Sequence, residues 1–499
     1  MSRVRRAFLM ASLEQYLTLA INFLMVAVLS RMLSPAAIGV AVLGMGISVI
    51  IFSLREFVTP EFLIQRTRVE REDVRTALTI LLGVHIVLAT LLFVLSPVVA
   101  RYYGELGLRH FLPVMIAAAS VEMTSFPAVA LLRRDMNFGA IARIRAISLT
   151  VMALTTIGLA AFGFSFMSYA WGTLAASSTT ACLALIARRD AYDMRPSLAS
   201  WRMVYEFGRF RGAASFVDRA HDMLPQVVLG RFMPAAAVGI YNRTNAVCAI
   251  PDRVFLGAIF AMAFPALAAE VREGRLVQGH YLRAIGYITA LYWPALILLA
   301  ILAHPVVNFI LGHSWAEAVP LVRIMALASL FFFPVILTHP ILMALGLNRE
   351  AFYSTAVSRA LSVVILCAAS PMGLTAMAAS QFLAIPLQMF VSFKYVKKHV
   401  DFRWSELFHV LWMSAVPTAG ATAAALAVVG LSGFRFDLSF AEACLAGVAA
   451  GMGWLAGAVL VRHPVLDEIR RVLPVPARWR LSREVSAGGT VQLSNTDAG

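Results

Sequence analysis

Apolar stretches of about twenty residues alternate with short, arginine-rich breaks along most of the chain. That length and continuity mark helices that cross a membrane. The pattern predicts fourteen of them, near 8–32, 38–57, 76–100, 109–132, 145–163, 165–187, 210–233, 238–265, 284–306, 318–345, 351–370, 373–395, 407–431 and 439–461. A transmembrane β-barrel would show short segments of alternating polarity, and these are not visible. The expected fold class is an all-α polytopic membrane protein.

Composition agrees: 60% of residues are hydrophobic and 14% charged, against about a quarter charged in soluble domains. The four cysteines, Cys182, Cys248, Cys367 and Cys444, stand singly inside apolar runs. They are expected to be buried small hydrophobes, with neither a disulfide framework nor a metal site. The first helix follows a basic N-terminus, exceeds a signal-peptide core and lacks a small-residue cleavage site, so it is expected to be retained.

The formal charge of +15 changes the picture only through its distribution. With fourteen helices, both termini and every even-numbered loop share one side. That side carries nearly all the arginines, among them Arg66, Arg68, Arg71, Arg133, Arg134, Arg188 and Arg189, while the other holds only Arg31, Arg101, Arg109, Arg231 and Arg435. Such asymmetry places both termini in the cytoplasm and favours contact with anionic headgroups. No basic stretch is interleaved with base-stacking aromatics, so nucleic acid is not an expected partner.

One corner is written twice. "LSRMLSPAAIGVAVL" (Leu29–Leu43) and "LGRFMPAAAVGIYNR" (Leu229–Arg243) align Arg31 with Arg231 and Gly39 with Gly239, an offset of 200. "IRAIS" (Ile144–Ser148) and "SRALS" (Ser358–Ser362) fall in equivalent helices. An even number of helices per half gives a parallel repeat about the membrane normal. The expected organisation is an N-terminal six-helix lobe at 1–187, a linker at 188–209, a C-terminal lobe at 210–399, two appended helices at 400–461 and a tail at 462–499 that is partly disordered. Two lobes flanking a cleft are the architecture of an alternating-access transporter.

A charge in hydrocarbon costs at least about 2.5 kcal/mol, so each needs a reason. Arg219, Arg243, Arg253, Arg323 and Arg359, with Glu14, Glu122, Asp218, Asp222 and Asp252, fall inside the expected spans. Arg323 can snorkel to the interface. Arg359 occupies the slot of Arg145 and can be interfacial. Asp218 and Asp222 are four apart and share a polar stripe with Arg211 and Gln226. Arg253 lies ten residues beyond Arg243, about 15 Å along the axis. The plain alternative is intrahelical pairing, Arg253 with Asp252 and Arg219 with Asp222. Glu14 is close enough to Arg6 to be interfacial. His85, His221 and His339 are more simply satisfied by neighbours than members of a proton relay.

"LSRMLSPAAIGVAVLG", "FLIQR", "ALLRRDMNFGAI", "VVLGRFMPAAAVGIYNRTNAVCAIP", "MAFPALA" and "NFILGHSWAEAVPLVRIMALA" resemble the polysaccharide-transporter branch of the Wzx oligosaccharide flippases, in one superfamily with multidrug extruders and lipid II flippases. The resemblance runs from about Leu29 to His399 and departs at "FVTPEFLIQR", with Pro60 and Glu61. It implies a flippase for an undecaprenyl-pyrophosphate-linked oligosaccharide in the bacterial inner membrane, serving exopolysaccharide or lipopolysaccharide synthesis. It implies no catalysis and no cofactor. Forked guanidinium donors suit a pyrophosphate, which gives Arg219, Arg243, Arg253 and Arg359 a substrate-binding role. A carboxylate in a cleft can carry a proton, which gives Glu14, Asp218 and Asp222 an ion-coupling role. Expected partners are the lipid-linked oligosaccharide, membrane lipids and the polymerase and chain-length machinery. The alternative is a cation-coupled drug extruder of the same fold. An enzyme would need a sizeable extramembrane loop, and a nucleotide-binding GxxxxGK[ST] loop is absent from the sequence.

Overall fold

The computed structural model describes residues 3–57, 71–188, 196–256 and 278–472. Within them every regular element is helical, as hydrocarbon demands of a chain whose backbone must satisfy its own hydrogen bonds. Eleven of the described helical stretches are long and apolar enough to cross a membrane, or twelve if one bent pair counts as a span.

In the first half, α1 is Arg3–Met32, α2 Pro35–Ser53, α3 Arg71–Tyr103, α4 Leu108–Thr124, α5 Phe126–Arg134, α6 Phe138–Ala161 and α7 Met167–Ala187. The α4–α5 pair is one expected span bent by 41° at Ser125. The second half has α8 Trp201–Phe232, α9 Ala235–Cys248, α10 Gln278–Ile301, α11 Ala303–Ile310, α12 Ala318–Ala328, α13 Phe333–Ala344, α14 Asn348–Ala369, α15 Leu374–Ala379 and α16 Gln381–Lys397. After it come α17 Trp404–Leu431, α18 Phe440–Leu460 and the short α19 Val465–Val472.

The expected fourteen and the apolar twelve differ by α8 and α9, which fall outside the apolar set. Polar residues from Asp218 to Gln226 and from Asn242 to Arg253 lower the hydropathy here, and α8, α9 and the turn after α9 supply four of the five aspartates and arginines that line the central cavity. α8 also begins at Trp201, inside the stretch expected to be linker. Pro60 and Glu61, together with 473–499, lie outside the described residues.

The repeated corner folds the same way twice. Ser34 caps α2, its Oγ accepting from the Ala37 N–H at 3.2 Å, with Pro35 in the first turn. The second copy turns at Pro234 into α9. α2 then lies along α9, and glycine is required where they meet. A Cβ on Gly39 would fall 1.7 Å from the Ala235 carbonyl oxygen, and one on Gly239 would fall 2.1 Å from that of Pro35. The contact is reciprocal at the 200-residue offset.

Neighbour choices recur at the same offset of elements. α1 packs on α6 and α8 on α14; α6 packs on α7 and α14 on α16; α2 packs on α4 and α9 on α12. α17 joins α10 through Thr289, whose Oγ1 donates to Ser414 Oγ at 2.8 Å. α18 packs on α17 at Gly420 and Gly453, each backing onto the other's carbonyl.

The cysteine expectation holds only at Cys248. Cys182 and Cys444 are exposed and Cys367 is half-buried, because an apolar run in a membrane protein can face lipid as readily as the interior.

Candidate functional site

A cavity of about 1410 Å³, open on one side, lies between α1, α8, α9, α13, α14 and α16. Its floor and sides are rich in amides: Asn22, Gln226, Asn242, Asn245, Gln381 and Gln388. Three arginines, Arg243, Arg253 and Arg359, and two aspartates, Asp222 and Asp252, line it, so it is not an acidic cleft.

Arg243 is the most buried of the three arginines. It is only 6% exposed, and its Nη2 donates to the Tyr169 hydroxyl at 2.6 Å. Nη1 reaches Asn242 Oδ1 at 3.5 Å, while Nε is buried without a hydrogen-bond partner. Among the described residues no carboxylate forms an ion pair with it. Asn242 in turn donates to Gln226 Oε1 at 2.9 Å, and Gln226 donates to the Asp222 carbonyl at 3.1 Å. This chain ties α7, α8 and α9 together and fixes the guanidinium. Two more buried polar atoms in the cavity wall have no partner, Asp252 Oδ1 and Ser358 Oγ. Buried polar groups are almost always satisfied, so these three atoms leave hydrogen-bonding capacity in the cavity wall for water or a polar ligand.

The other expected residues divide. Arg359 lines the cavity and its Nη1 donates to Asp218 Oδ1 at 2.5 Å, joining α14 to α8. Asp218 itself stands behind the cavity wall. Asp222 lines it and contacts His221 Nδ1 at 3.3 Å. Arg253 stands exposed on the wall in the π-turn that follows α9. Arg219 does not line the cavity: its Nε lies 3.7 Å from Glu56 Oε1. Glu56 also accepts a short hydrogen bond from Ser215, and Phe57 beside it packs on Gly208 and Gly212 of α8. So Arg219 belongs to a contact between the end of α2 and α8, and in place of the single pairing weighed for Arg219 with Asp222, Arg219 meets Glu56 and Asp222 meets His221. The Glu14 side chain lies outside the described residues.

Sequence reasoning missed Tyr169 and the amide ladder, since single polar residues in apolar helices carry no periodic signal. Asp252 was noticed only as a partner for Arg253, and it lines the cavity with its Oδ1 buried and unpartnered. His85 stacks on Phe52 and bonds Ser120 Oγ at 2.8 Å and Arg55 at 3.4 Å, a local network away from the cavity. Arg323 lies 5.2 Å over the Phe436 ring. Trp315 of the "GHSW" turn is fully buried, and its Nε1 donates to the Ser30 carbonyl at 2.7 Å, so that motif seals the end of α1.

Solved structures share this fold. The lipid II flippase MurJ in an inward closed conformation superposes with a TM-score of 0.74 at 11% identity, covering 93% of this chain and 99% of its own. An inward-facing multidrug transporter of the MATE family gives 0.61 at 14% identity over 81% of this chain and 99% of its own. Among curated relatives, the succinoglycan biosynthesis transport protein ExoT of Rhizobium meliloti is 24% identical over 67% of this chain and 68% of its own length. The lipopolysaccharide biosynthesis protein WzxC of Escherichia coli is 21% identical over 64% and 65%. The teichuronic acid biosynthesis protein TuaB of Bacillus subtilis is 22% identical over 58% and 61%. Matches thus span about two thirds of those relatives' lengths. The profile of one family, described as polysaccharide biosynthesis protein, matches residues 28–320. That stretch holds the repeated corner, the arginine of the cavity and the tryptophan turn, and by it the chain belongs to the polysaccharide biosynthesis protein family.

Proposed function

We propose that the protein is a flippase that carries a pyrophosphate-linked oligosaccharide on a polyprenyl lipid across the inner membrane by alternating access. The observation that carries this reading is Arg243: a buried guanidinium in a cavity wall, with an unpartnered Nε and no carboxylate paired to it among the described residues. An isolated buried cation is costly, and an anionic cargo offsets that cost when it enters. Arg253 and Arg359 extend the positive wall, and the surrounding amides suit sugar hydroxyls. The polyprenyl tail stays in lipid.

Two lobes, 1–187 and 210–399, rock about the α2–α9 contact, with 188–209 linking them, helices at 400–461 appended and 462–499 as the tail. The reciprocal glycine contact and the recurring helix neighbours support that division. Arg219 acts at the α2–α8 closure, where opening one side of the cavity must break its contact with Glu56. Asp222 in the wall, Asp218 through Arg359, and Glu14 are the ion-coupling groups. Both termini lie in the cytoplasm, and the polymerase and chain-length machinery receive the product. The related proteins named for transport or biosynthesis of succinoglycan, teichuronic acid and lipopolysaccharide support a glycan cargo over a drug, and the three arginines of the wall argue against a cationic one.

A strain lacking this protein should accumulate lipid-linked repeat units on the cytoplasmic leaflet and lose surface polymer. Unchanged lipid-linked pools and normal polymer would refute the reading.

A further inference from the structure

A second cavity, of about 890 Å³, opens on the outer face of the second half between α10, α13, α16 and α17. Its size falls within the range of ligand sites. Its wall is aromatic and held rigid. Trp293 is pinned by its Nε1 donating to the Leu330 carbonyl at 2.9 Å. From there ring meets ring: Trp293 and Phe333 at 5.8 Å, Phe333 and Phe393 at 6.2 Å, Phe393 and Trp404 at 5.5 Å. Phe390 and Phe408 stand exposed at its edge.

One end is cationic. Lys394 and Lys397 close the last turn of α16 at the mouth of the groove. The Lys397 Nζ stands 4.4 Å over the Trp404 ring. Lys398 beside them is held by Glu350 at 2.7 Å, but among the described residues neither Lys394 nor Lys397 forms an ion pair. Two ammonium groups without an ion pair beside an apolar slot call for a ligand that is anionic at one end and hydrocarbon at the other. Basic pockets between membrane helices take acidic lipid headgroups for this reason.

We propose that this groove binds an acidic glycerophospholipid, with its chains along the aromatic wall and its phosphate between Lys394 and Lys397. The leaflet, that of the arginine-rich loops, follows from the topology proposed above; the binding does not. The groove is separate from the transport cavity, since no residue lines both: Ser329 and Phe332 face the central space, whereas Leu330, Phe331 and Phe333 face the groove. A cargo whose pyrophosphate sits at Arg243 therefore leaves this second cationic site unfilled.

The test places the purified protein in nanodiscs of phosphatidylcholine, with or without phosphatidylglycerol, and reads the thermal midpoint and the lipid retained in native mass spectrometry. Phosphatidylglycerol should raise the midpoint and remain bound. Lys394→Gln with Lys397→Gln should abolish both effects, and the Lys→Arg pair should keep them. Leu411→Trp, which fills the slot, should also lose the lipid, so the proposal stays testable if the double glutamine variant fails to fold. Arg283→Gln, an exposed arginine away from the groove, should change nothing. The proposal is overturned if wild-type protein does not distinguish the two lipids, if Arg283→Gln loses the lipid equally, or if the retained molecule is a polyprenyl lipid.

Discussion

Gly39 and Gly239 touch backbone to backbone: a Cβ on Gly239 would sit 3.0 Å from the Gly39 nitrogen as well as against the Pro35 carbonyl. No side chain fits between α2 and α9 at that point. Gly39→Ala or Gly239→Ala should therefore push the helices apart and lower stability by about 1–3 kcal/mol, as overpacking does, read as a fall of the thermal midpoint. Gly83→Ala is the control, because nothing lies within 4 Å of a Cβ there and alanine is the better helix former. Equal midpoints for Gly39→Ala and wild type would contradict the close approach.

The proposed topology puts the exposed Ser314 turn outside and the exposed Ala199 inside. In a background lacking the four cysteines, a membrane-impermeant maleimide added to intact cells should label Ser314→Cys and spare Ala199→Cys. The opposite pattern would invert the whole arrangement.

Arg359 reaches Asp218 at 2.5 Å but also lines the cavity. A partly exposed pair contributes little to stability, about 0.2–1 kcal/mol. Arg359→Ala should therefore leave protein levels near normal while lowering transport, and adding Asp218→Ala should not restore it. Full restoration in the double variant would assign Arg359 to structure alone.

Where α18 ends, His463 is buried, accepting the Val465 N–H at Nδ1 and facing Ser414 Oγ at 3.3 Å from Nε2. Burial holds its imidazole below the ordinary value of 6.5. The folded state then binds fewer protons than the unfolded one, so the contribution is present above pH about 6.5 and is lost as pH falls below it. Comparing thermal midpoints between pH 8 and pH 5 should give a smaller acid-side drop for His463→Gln than for wild type. Identical slopes would exclude this group as a source of the pH dependence.

Hydrophobic run length made most spans legible, because the bilayer fixes how long an apolar helix must be. At α8 and α9 the polar residues that build the cavity dilute that signal; the expected spans 210–233 and 238–265 still fell on these helices, but the start of α8 at Trp201 was missed. The repeated corner was readable because glycine at a backbone contact tolerates no substitute, and Gly39 and Gly239 keep it in both copies. The pairings were not: Arg219 with Glu56 and Arg359 with Asp218 join residues 163 and 141 positions apart, and helix periodicity speaks only for neighbours on one helix. Arg243 stood out in the sequence as a charge in a family-like stretch, but its burial against Tyr169 needed the fold.

The central claim is that Arg243 receives the pyrophosphate, and its most direct measurement is the translocation rate of a polyprenyl-pyrophosphate oligosaccharide in proteoliposomes. Removing one charge-assisted contact of about 1.5–3 kcal/mol predicts that Arg243→Ala slows translocation roughly 10- to 100-fold, with normal insertion and thermal stability. Arg243→Lys should fall between, since it keeps the charge and loses the fork. Wild-type rates in well-folded Arg243→Ala protein would contradict the account.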